Sequence, residues 1–371
     1  MNQVTPEAQL LIDLVSIPSV SGTERPASEH LARAATELGF ESGVDDVGNA
    51  LAWRDSGGSI RTHIVLLGHI DTVPGNIPVR VEDGVLHGRG SVDAKGPLCA
   101  MLCAAARAEL PRGVRITVAG AVGEESAGSP GARALVGRLR PDACVIGEPS
   151  GWDGVTLGYK GRLLARAEVS VPNHHSAGQD PSAGDVLVSW WRTVGDTIAR
   201  LNHDRERAFD IVQATVQGMG SGTDGLNQTA WMEAGFRLPV DISPDDLTHT
   251  IERLTTGPVR VEFSGPELAH ATDRNDPVVR ALSGAIRAQG ARPRPKLKTG
   301  TADFNVVGPA WRCPIAAYGP GDSALDHTPE ERLDLDEYHR SIRVLTGAIE
   351  SLAEELLSAR RPSEALSGAC A

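Results

Sequence analysis

The chain has 371 residues, enough for two domains, and its 40% hydrophobic and 23% charged residues are typical of a folded globular protein. A formal net charge of −12 argues against a nucleic-acid or anionic-membrane ligand, and no apolar run is long enough to cross a bilayer or to act as a secretion signal. The five cysteines show no CxxC spacing, so neither a disulfide framework nor a thiolate zinc site is expected. We therefore expect a cytoplasmic protein with no nucleic-acid and no membrane partner.

The first part of the chain alternates helical and strand patterns. Apolar spacing predicts helices over 5–15 and 24–38, strands over 49–53 and 64–67, and a hairpin over 79–86. A helix over 94–110, a strand over 114–122, a helix over 131–139 and a strand over 143–147 follow. Strands that alternate with helices predict an α/β fold, with a mostly parallel sheet and helices on both faces.

The order of elements changes at about residue 161. Strands are predicted over 163–171, 211–217, 230–238 and 259–263, with helices over 183–201 and 244–254. This β-α-β-β-α-β order is that of a ferredoxin-like α+β unit. The α/β pattern resumes with a helix over 276–289, strands over 295–298 and 314–318 separated by a loop over 299–305, and a helix over 335–357. We predict one domain from residues 1–160 and 270–371, with residues 161–269 inserted as a second domain.

Side chains that bind metals follow the predicted strands at their carboxyl ends, where ligands gather in parallel sheets. His69 and Asp71 end one strand and point the same way, because successive side chains of a strand alternate between its faces. The Asp71 carboxylate can therefore hold the second ring nitrogen of a metal-bound His69. Asp93 lies in a glycine-rich loop before a helix, a place that suits a bridging ligand.

Further acids and a histidine complete the candidate centre. Glu124 and Glu125 end the next strand, Glu148 ends the one after it, and His327 lies in a loop rich in glycine and proline. The candidate ligands are His69, Asp93, Glu125, Glu148 and His327, a donor set that suits zinc, manganese or cobalt. Two metals sharing one carboxylate can activate water for amide hydrolysis, which leaves Glu124 as general base. Spacing alone favours this only modestly, because adjacent glutamates and single loop histidines are usually solvated or structural.

Several passages together resemble one known family. They are His69-x-Asp71, Ser91-Val92-Asp93-x-Lys95-Gly96, Glu124-Glu125, Gly147-Glu148-Pro149 and His327. In this order they resemble the di-zinc metallopeptidases that include acetylornithine deacetylase, succinyl-diaminopimelate desuccinylase and glutamate carboxypeptidase. The resemblance implies two Zn²⁺ ions per subunit, with Co²⁺ as a substitute. It assigns His69 and Glu148 to one ion, Glu125 and His327 to the other, and Asp93 to both.

The same resemblance implies roles outside the metal ligands. Asp71 would orient His69, Glu124 would be the general base, and residues 1–160 and 270–371 would form the catalytic domain. Residues 161–269 would form a lid through which the chain makes a homodimer. In this lid, His175-Ser176-Ala177-Gly178 resembles the motif whose histidine reaches across the dimer and supports the oxyanion, with His174 as the alternative.

Three lid or loop residues resemble substrate-binding positions of the family. Asn227 and Arg237 match residues that bind the substrate carboxylate, for which a guanidinium group is suited, although an arginine on a strand is more often solvated or salt-bridged. The passage Thr299-Gly300-Thr301-Ala302-Asp303 resembles a Gly-Thr-Ser-Asp loop beside the substrate. It implicates Thr301 in substrate binding, while Ala302 replaces the serine of the pattern.

Three more passages narrow the resemblance within the family. They are Gly158-Tyr159-Lys160-Gly161-Arg162, Lys298-Thr299-Gly300-Thr301-Ala302-Asp303-Phe304-Asn305 and Tyr318-Gly319-Pro320-Gly321-Asp322-Ser323. They resemble the hydrolases that release lysine, or ornithine, from the C-terminal glutamate of a small acidic amino-group carrier protein in lysine and arginine biosynthesis. An acidic partner requires a basic patch, which would have to come from Arg287, Arg292, Arg294, Lys296 and Lys298. The alternative for that run is a solvated loop.

Two other functions compete with carrier hydrolysis. Within the family, the chain would be an N-acetyl-lysine or N-acetylornithine deacetylase or a dipeptidase. From another class, it would be a metal-free or single-metal binding protein that kept the fold and lost the chemistry. The complete ligand set and Glu124 argue against the second alternative.

Overall fold

The computed structural model describes residues 4–126, 128–175 and 177–359, and the chain divides into two compact units. The first unit comprises Met1–Gly158, Thr272–Lys296 and Val306–Ala371, and the second comprises Tyr159–Ala271 and Leu297–Asn305. These units differ from the predicted domains mainly at residues 297–305, which group with the second unit. Residues 360–371 of the predicted catalytic domain lie outside the described residues.

Helices and strands alternate through most of the chain. The helices are α1 (Pro6–Val15), α2 (Arg25–Glu37), α3 (Lys95–Arg107), α4 (Pro130–Arg138), α5 (Ala183–Leu201), α6 (Pro244–Leu254), α7 (Pro277–Ala288), α8 (Asp303–Trp311) and α9 (Leu335–Ala359). The strands are β1 (Glu41–Val44), β2 (Ala50–Asp55), β3 (Thr62–His69), β4 (Arg80–Glu82), β5 (Val85–His87), β6 (Val114–Ala121), β7 (Ala143–Gly147), β8 (Gly154–Tyr159), β9 (Gly161–Pro172), β10 (Gln213–Thr223), β11 (Asn227–Leu238), β12 (Val259–Glu267), β13 (His270–Ala271), β14 (Arg294–Lys298), β15 (Ile315–Ala317) and β16 (Arg332–Asp334). Within the described ranges, no helix combines the length and apolar character needed to cross a bilayer.

The large sheet of the first unit has the strand order β1-β2-β6-β3-β7-β15-β8. Its central pairs β6–β3, β3–β7 and β7–β15 are parallel, as predicted, while β1–β2, β2–β6 and β15–β8 are antiparallel. The central strand β3 is buried along almost its whole length. This explains why its sequence is a continuous apolar run without alternation.

A row of glycines lets α3 lie close to this sheet. In the register of β3, Gly68 lies opposite Gly120 of β6 and Gly147 of β7. A Cβ atom at Gly120 would lie 3.0 Å from Cδ2 of Leu98, and one at Gly147 would lie 3.0 Å from Sδ of Met101. Both of these larger side chains belong to α3. Because glycine has no side chain, α3 can approach the ends of these three strands more closely than any other residue would allow.

The second unit contains a four-stranded antiparallel sheet with the order β10-β11-β9-β12. With α5 and α6 between its strands, this is the arrangement of the predicted ferredoxin-like unit. Both helices begin with a capping box, formed by Ser182 with Asp185 and by Ser243 with Asp246. Such boxes satisfy backbone N–H groups that the first turn of a helix leaves unpaired.

One helix was not predicted. The sequence predicts a loop over 299–305, but α8 begins at Asp303 and contains Pro309. Glycine and proline inside its sequence disfavour a helix by local propensity. The helix forms because its side chains are buried, with Phe304 and Val307 both fully covered, so that packing outweighs propensity.

The close packing around α3 can be tested at Gly96, in the first turn of that helix. A Cβ atom at Gly96 would clash with the Ser91 carbonyl oxygen and lie 2.8 Å from Cδ2 of Leu333. We expect Gly96→Ala to lower the free energy of unfolding by about 1–3 kcal/mol because the core is overfilled. Gly137→Ala in α4 is the matched control, since nothing lies within 4 Å of its Cβ position, and it should raise stability by about 0.5–1 kcal/mol. Chemical denaturation measures both, and equal effects would contradict this account.

Candidate metal centre

The strands of the large sheet bring the candidate ligands to one edge. His69 is the last residue of β3, Glu148 directly follows β7, and Glu124 and Glu125 follow β6 within four residues. His69 lies opposite Ala121, the last residue of β6, so these strand ends are level. His327 follows β15 in a loop, where its φ of 62° places it in the left-handed region. Such strained backbone is common at functional sites.

The ligand atoms form two groups that share Asp93. In the first group, Nε2 of His69 lies 3.1 Å from Oδ1 of Asp93 and 3.8 Å from Oε1 of Glu148. In the second, Nε2 of His327 lies 3.1 Å from Oδ2 of Asp93 and 2.9 Å from Oε1 of Glu125. Within each group the ligand atoms lie within 4.8 Å of one another. Each oxygen of Asp93 thus faces a different histidine, as a bridging carboxylate requires.

Glu124, the predicted general base, lies beside these groups. Its carboxylate belongs to a third cluster with His69 and Glu125, again with ligand atoms within 4.8 Å of one another. The side chain is half-buried. The structure therefore brings together all five predicted ligands and the predicted base.

The buried carboxylate of Asp71 contacts both His69 and the backbone of the loop that carries Glu124 and Glu125. Its Oδ1 lies 3.4 Å from Nδ1 of His69, and the Asp71 carbonyl oxygen lies 3.1 Å from the same nitrogen. The carboxylate also accepts the backbone N–H groups of Glu124 at 3.1 Å and of Glu125 at 3.0 Å. The Ser21 hydroxyl donates to it at 2.7 Å. The sequence predicted the contact of Asp71 with His69. It did not predict the hydrogen bonds that Asp71 accepts from the two glutamate N–H groups or from Ser21.

Glu331 is a second buried carboxylate of this kind, and sequence reasoning missed it. Its Oε1 accepts the backbone N–H groups of Val92 at 3.0 Å and Asp93 at 3.1 Å. Its Oε2 accepts Nη1 of Arg89 at 2.7 Å. Glu331 therefore fixes the loop that carries Asp93, the candidate bridging ligand. Its neighbour Glu330 is exposed, and nothing in the sequence separates the two.

The electrostatic field of the centre is strongly negative. Burial alone would lower the pKa of His69, but the carboxylates of Asp71 and Asp93 raise it well above its ordinary value. Hydrogen bonds to Asp93 and Glu125 raise the pKa of His327 to about 10. Burial opposes ionisation of Asp93, yet contacts with the two histidines lower its pKa. The donors are carboxylates and imidazoles, and the carboxylates give the site a surplus of negative charge, which suits a divalent cation. Binding of that cation would displace the protons from the imidazole nitrogens.

The predicted substrate-binding residues lie in two separate places in the second unit. Nη1 of Arg237 donates to Oγ1 of Thr301 at 3.0 Å, so these two are together. Asn227 lies ten residues earlier in β11, which corresponds to about 33 Å along the strand. It lies opposite Pro172, three residues before His175. The structure therefore groups Asn227 with the histidine loop and not with Arg237.

The two candidate histidines of that loop differ in accessibility. His175 is exposed, and its Nδ1 accepts the backbone N–H of Ala177 at 3.1 Å. In the neutral ring the proton is then on Nε2, where it can be donated outward. Nε2 of His174 is buried and has no hydrogen-bond partner among the described residues. The structure thus separates an exposed His175 from a His174 whose Nε2 is buried, and the assignment of the oxyanion role stays a prediction. Ser176 of the motif lies outside the described residues.

The fold and the ligand set define a metal-dependent hydrolase, with two ligand groups at the carboxyl edge of an α/β sheet. The chain belongs to the peptidase family M20/M25/M40, whose sequence profile matches residues 65–351. The predicted family is thereby confirmed, and with it the expectation of a divalent metal. The predicted α/β fold is confirmed as well.

Relatives with 28–47% identity match 93–98% of this chain. A protein of Deinococcus radiodurans named LysW-lysine hydrolase is 47% identical over 359 residues, which cover 94% of this chain and 98% of the relative. A relative from Thermococcus kodakarensis is 40% identical over 98% of each chain. A Saccharolobus islandicus protein named LysW-lysine/LysW-ornithine hydrolase is 28% identical over 93% of this chain and 95% of the relative.

Solved structures share the fold at lower identity. The M20 family metallo-carboxypeptidase of Sulfolobus solfataricus superposes with a TM-score of 0.76 at 17% identity, covering 94% of this chain and all of its own. A tripeptidase from Staphylococcus aureus gives a TM-score of 0.77 at 19% identity, covering 95% of this chain and 100% of its own. These similarities show a common architecture of the whole chain.

Loss of the Glu331 carboxylate should weaken both stability and metal binding. Glu331→Ala removes the acceptor of two backbone N–H groups and of Nη1 of the largely buried Arg89, so we expect a loss of about 3–5 kcal/mol of unfolding free energy. Metal affinity should fall roughly 10–100-fold because the Asp93 loop is no longer held. Glu331→Gln keeps one acceptor oxygen and should retain more of the affinity.

The exposed neighbour supplies the control for this measurement. Glu330→Ala removes the same side chain one residue away and should change the unfolding free energy by no more than about 0.5 kcal/mol. Denaturant titration and metal titration are run on all variants. Equal metal affinity in Glu331→Ala and Glu330→Ala would refute the positioning role of Glu331.

Proposed function

We propose that this chain is a metal-dependent amide hydrolase that releases lysine, or ornithine, from the C-terminal glutamate of an acidic amino-group carrier protein of the LysW type. The observation that carries the proposal is Asp93, whose two carboxylate oxygens face two separate histidine-containing ligand groups. Relatives named for LysW-lysine and LysW-ornithine hydrolysis support the carrier substrate. Lysine is favoured because the 47% identical relative is named for lysine alone.

The proposed cofactors are two Zn²⁺ ions per subunit, with Co²⁺ as a substitute in the same donor set. His69 and Glu148 would hold one ion, Glu125 and His327 the other, and Asp93 both. When bound, such ions polarise the scissile carbonyl and lower the pKa of water. The carboxylate and imidazole donors in each group are those that zinc prefers in catalytic sites.

Glu124 moves the proton in the proposed reaction. Its carboxylate takes a proton from the attacking water as the new C–O bond forms, and gives it to the α-nitrogen of lysine as the amide C–N bond breaks. The products are the carrier with a free glutamate carboxylate and free lysine. The hydrogen bond from the backbone N–H of Glu124 to Asp71 would fix the backbone from which the Glu124 side chain projects during both proton transfers.

Residues of the second unit would bind the substrate and support the oxyanion. Arg237 and Thr301 would bind a substrate carboxylate, and Nε2 of His175 would donate to the oxyanion. Asn227 lies about 33 Å along the sheet from Arg237. His175 follows the strand partner of Asn227, Pro172, by three residues. One lid therefore cannot bring Asn227 and Arg237 to the same small substrate. We therefore propose a homodimer through the lid, in which His175 of the partner subunit and Asn227 of the partner subunit complete each site.

The substrate test compares two amides of lysine with the zinc-loaded enzyme. We expect kcat/KM to be about a hundredfold or more higher for lysine on the C-terminal glutamate of the carrier than for N-α-acetyl-lysine, because binding of the carrier contributes to the transition state. Enzyme stripped with a chelator is the control and should lose both activities. A preference for acetyl-lysine would make the chain a deacetylase, and no hydrolysis by the zinc-loaded protein would support a binding protein.

Mixed dimers test Glu124 and the dimer together. Glu124→Gln should bind metal and fold as the wild type does but lose about 10²–10⁴-fold in kcat, since it cannot take the proton. His175→Ala should also be impaired. The two variants are then mixed in equal amounts so that half of the dimers contain one subunit of each. If the partner supplies His175, one of the two sites in each mixed dimer is intact, so the mixture should recover about a quarter of wild-type activity. A mixture with no recovery would show that His175 does not act across a dimer.

A further inference from the structure

The first unit carries a groove of about 1230 Å³ whose basic residues are all arginines. They are Arg274, Arg280, Arg287, Arg292 and Arg294. All five side chains are exposed. The groove is thus a local concentration of positive charge in a chain whose net charge is −12.

The arginines come together because of helix spacing and a chain reversal. Arg280 and Arg287 are seven residues apart in α7, so they project from the same face of the helix two turns apart. Arg292 and Arg294 follow on the segment that leaves the end of α7 and enters β14. Arg274 lies just before the helix. A helix face and the segments at both of its ends therefore line one groove.

Internal ion pairs neutralise only part of this charge. Arg280 pairs with Glu355, and Arg294 pairs with Asp153. For Arg274, Arg287 and Arg292, residues 4–126, 128–175 and 177–359 provide no ion-pair partner within 4.0 Å. The groove thus keeps a positive surface that is available to an external anion.

We propose that this groove is a docking surface for an acidic polypeptide, which on the proposed function is the carrier protein that delivers the lysine amide. Guanidinium groups bind carboxylates through paired hydrogen bonds, and a positive groove on a negative protein steers an acidic partner to one face. The proposal resolves the conflict between the net charge and an acidic substrate.

The groove is less suited to nucleic acid. Among the described residues that line it, none is aromatic, so a base has no ring to stack on, and the lining includes the carboxylate of Asp153. An acidic polypeptide with carboxylates spaced along a compact surface is therefore the better match.

The groove lies within reach of the metal centre. Asp153 in its lining comes five residues after the ligand Glu148, so their Cα atoms are at most about 18 Å apart. A carrier docked at the groove therefore needs only a short C-terminal segment to bring its terminal amide to the ligands. Docking and hydrolysis can then use separate surfaces of the same unit.

Charge reversal tests the docking surface. The variant Arg287→Glu/Arg292→Glu should raise KM for the carrier conjugate about tenfold or more and reduce its dependence on salt, because long-range attraction is lost. kcat, and both constants for a small dipeptide of glutamate and lysine, should stay unchanged because the metal centre is untouched. Arg33→Glu/Arg112→Glu makes the same charge change at exposed positions outside the groove and should leave all constants unchanged.

The outcomes separate this inference from the proposed function. If the wild type hydrolyses the conjugate and the groove variant has an unchanged KM, the groove is not the docking surface although the function stands. If the wild type does not hydrolyse it but binds a labelled polyglutamate peptide that the groove variant fails to bind, the function is wrong and the groove still takes an acidic polypeptide. Stronger binding of a single-stranded oligonucleotide than of polyglutamate would overturn the inference.

Discussion

The buried Asp71 carboxylate places a ligand and the proposed base relative to each other. It faces His69 and accepts two consecutive backbone N–H groups, those of Glu124 and Glu125. Glu331 accepts two consecutive N–H groups of the Asp93 loop in the same way. Each of these loops is thus clamped to a buried carboxylate. Ligands held by the protein itself lose little conformational entropy when a metal binds.

The cost of this arrangement is electrostatic. Acidic side chains converge on two imidazoles at one edge of the sheet, and their mutual repulsion disfavours the metal-free fold. The raised pKa of His69 and of His327 shows how strongly the site attracts positive charge. A bound divalent ion relieves the repulsion, so its binding energy also contributes to the stability of the folded chain.

The sequence predicts the placement of the ligands well, because the carboxyl ends of parallel strands meet at one edge whatever the details of packing. The sequence does not show which of two adjacent glutamates is buried and which is exposed. Glu330 and Glu331 are adjacent, yet one is exposed and the other clamps a loop, and only the tertiary fold decides this. Helix α8 was missed because burial outweighs the propensity of Pro309. The separation of Asn227 from Arg237 becomes visible only with the bounds of β11.

The glycine row across β6, β3 and β7 has a consequence for how this protein tolerates change. The distance between α3 and the sheet is set there by backbone atoms in near contact with Leu98 and Met101. Volume-conserving substitutions elsewhere in the hydrophobic core are tolerated best and do not touch these glycines. The spacing between Asp93, two residues before α3, and His69, at the end of β3, therefore depends on these glycines. The geometry of the candidate ligands can persist while the rest of the core sequence diverges.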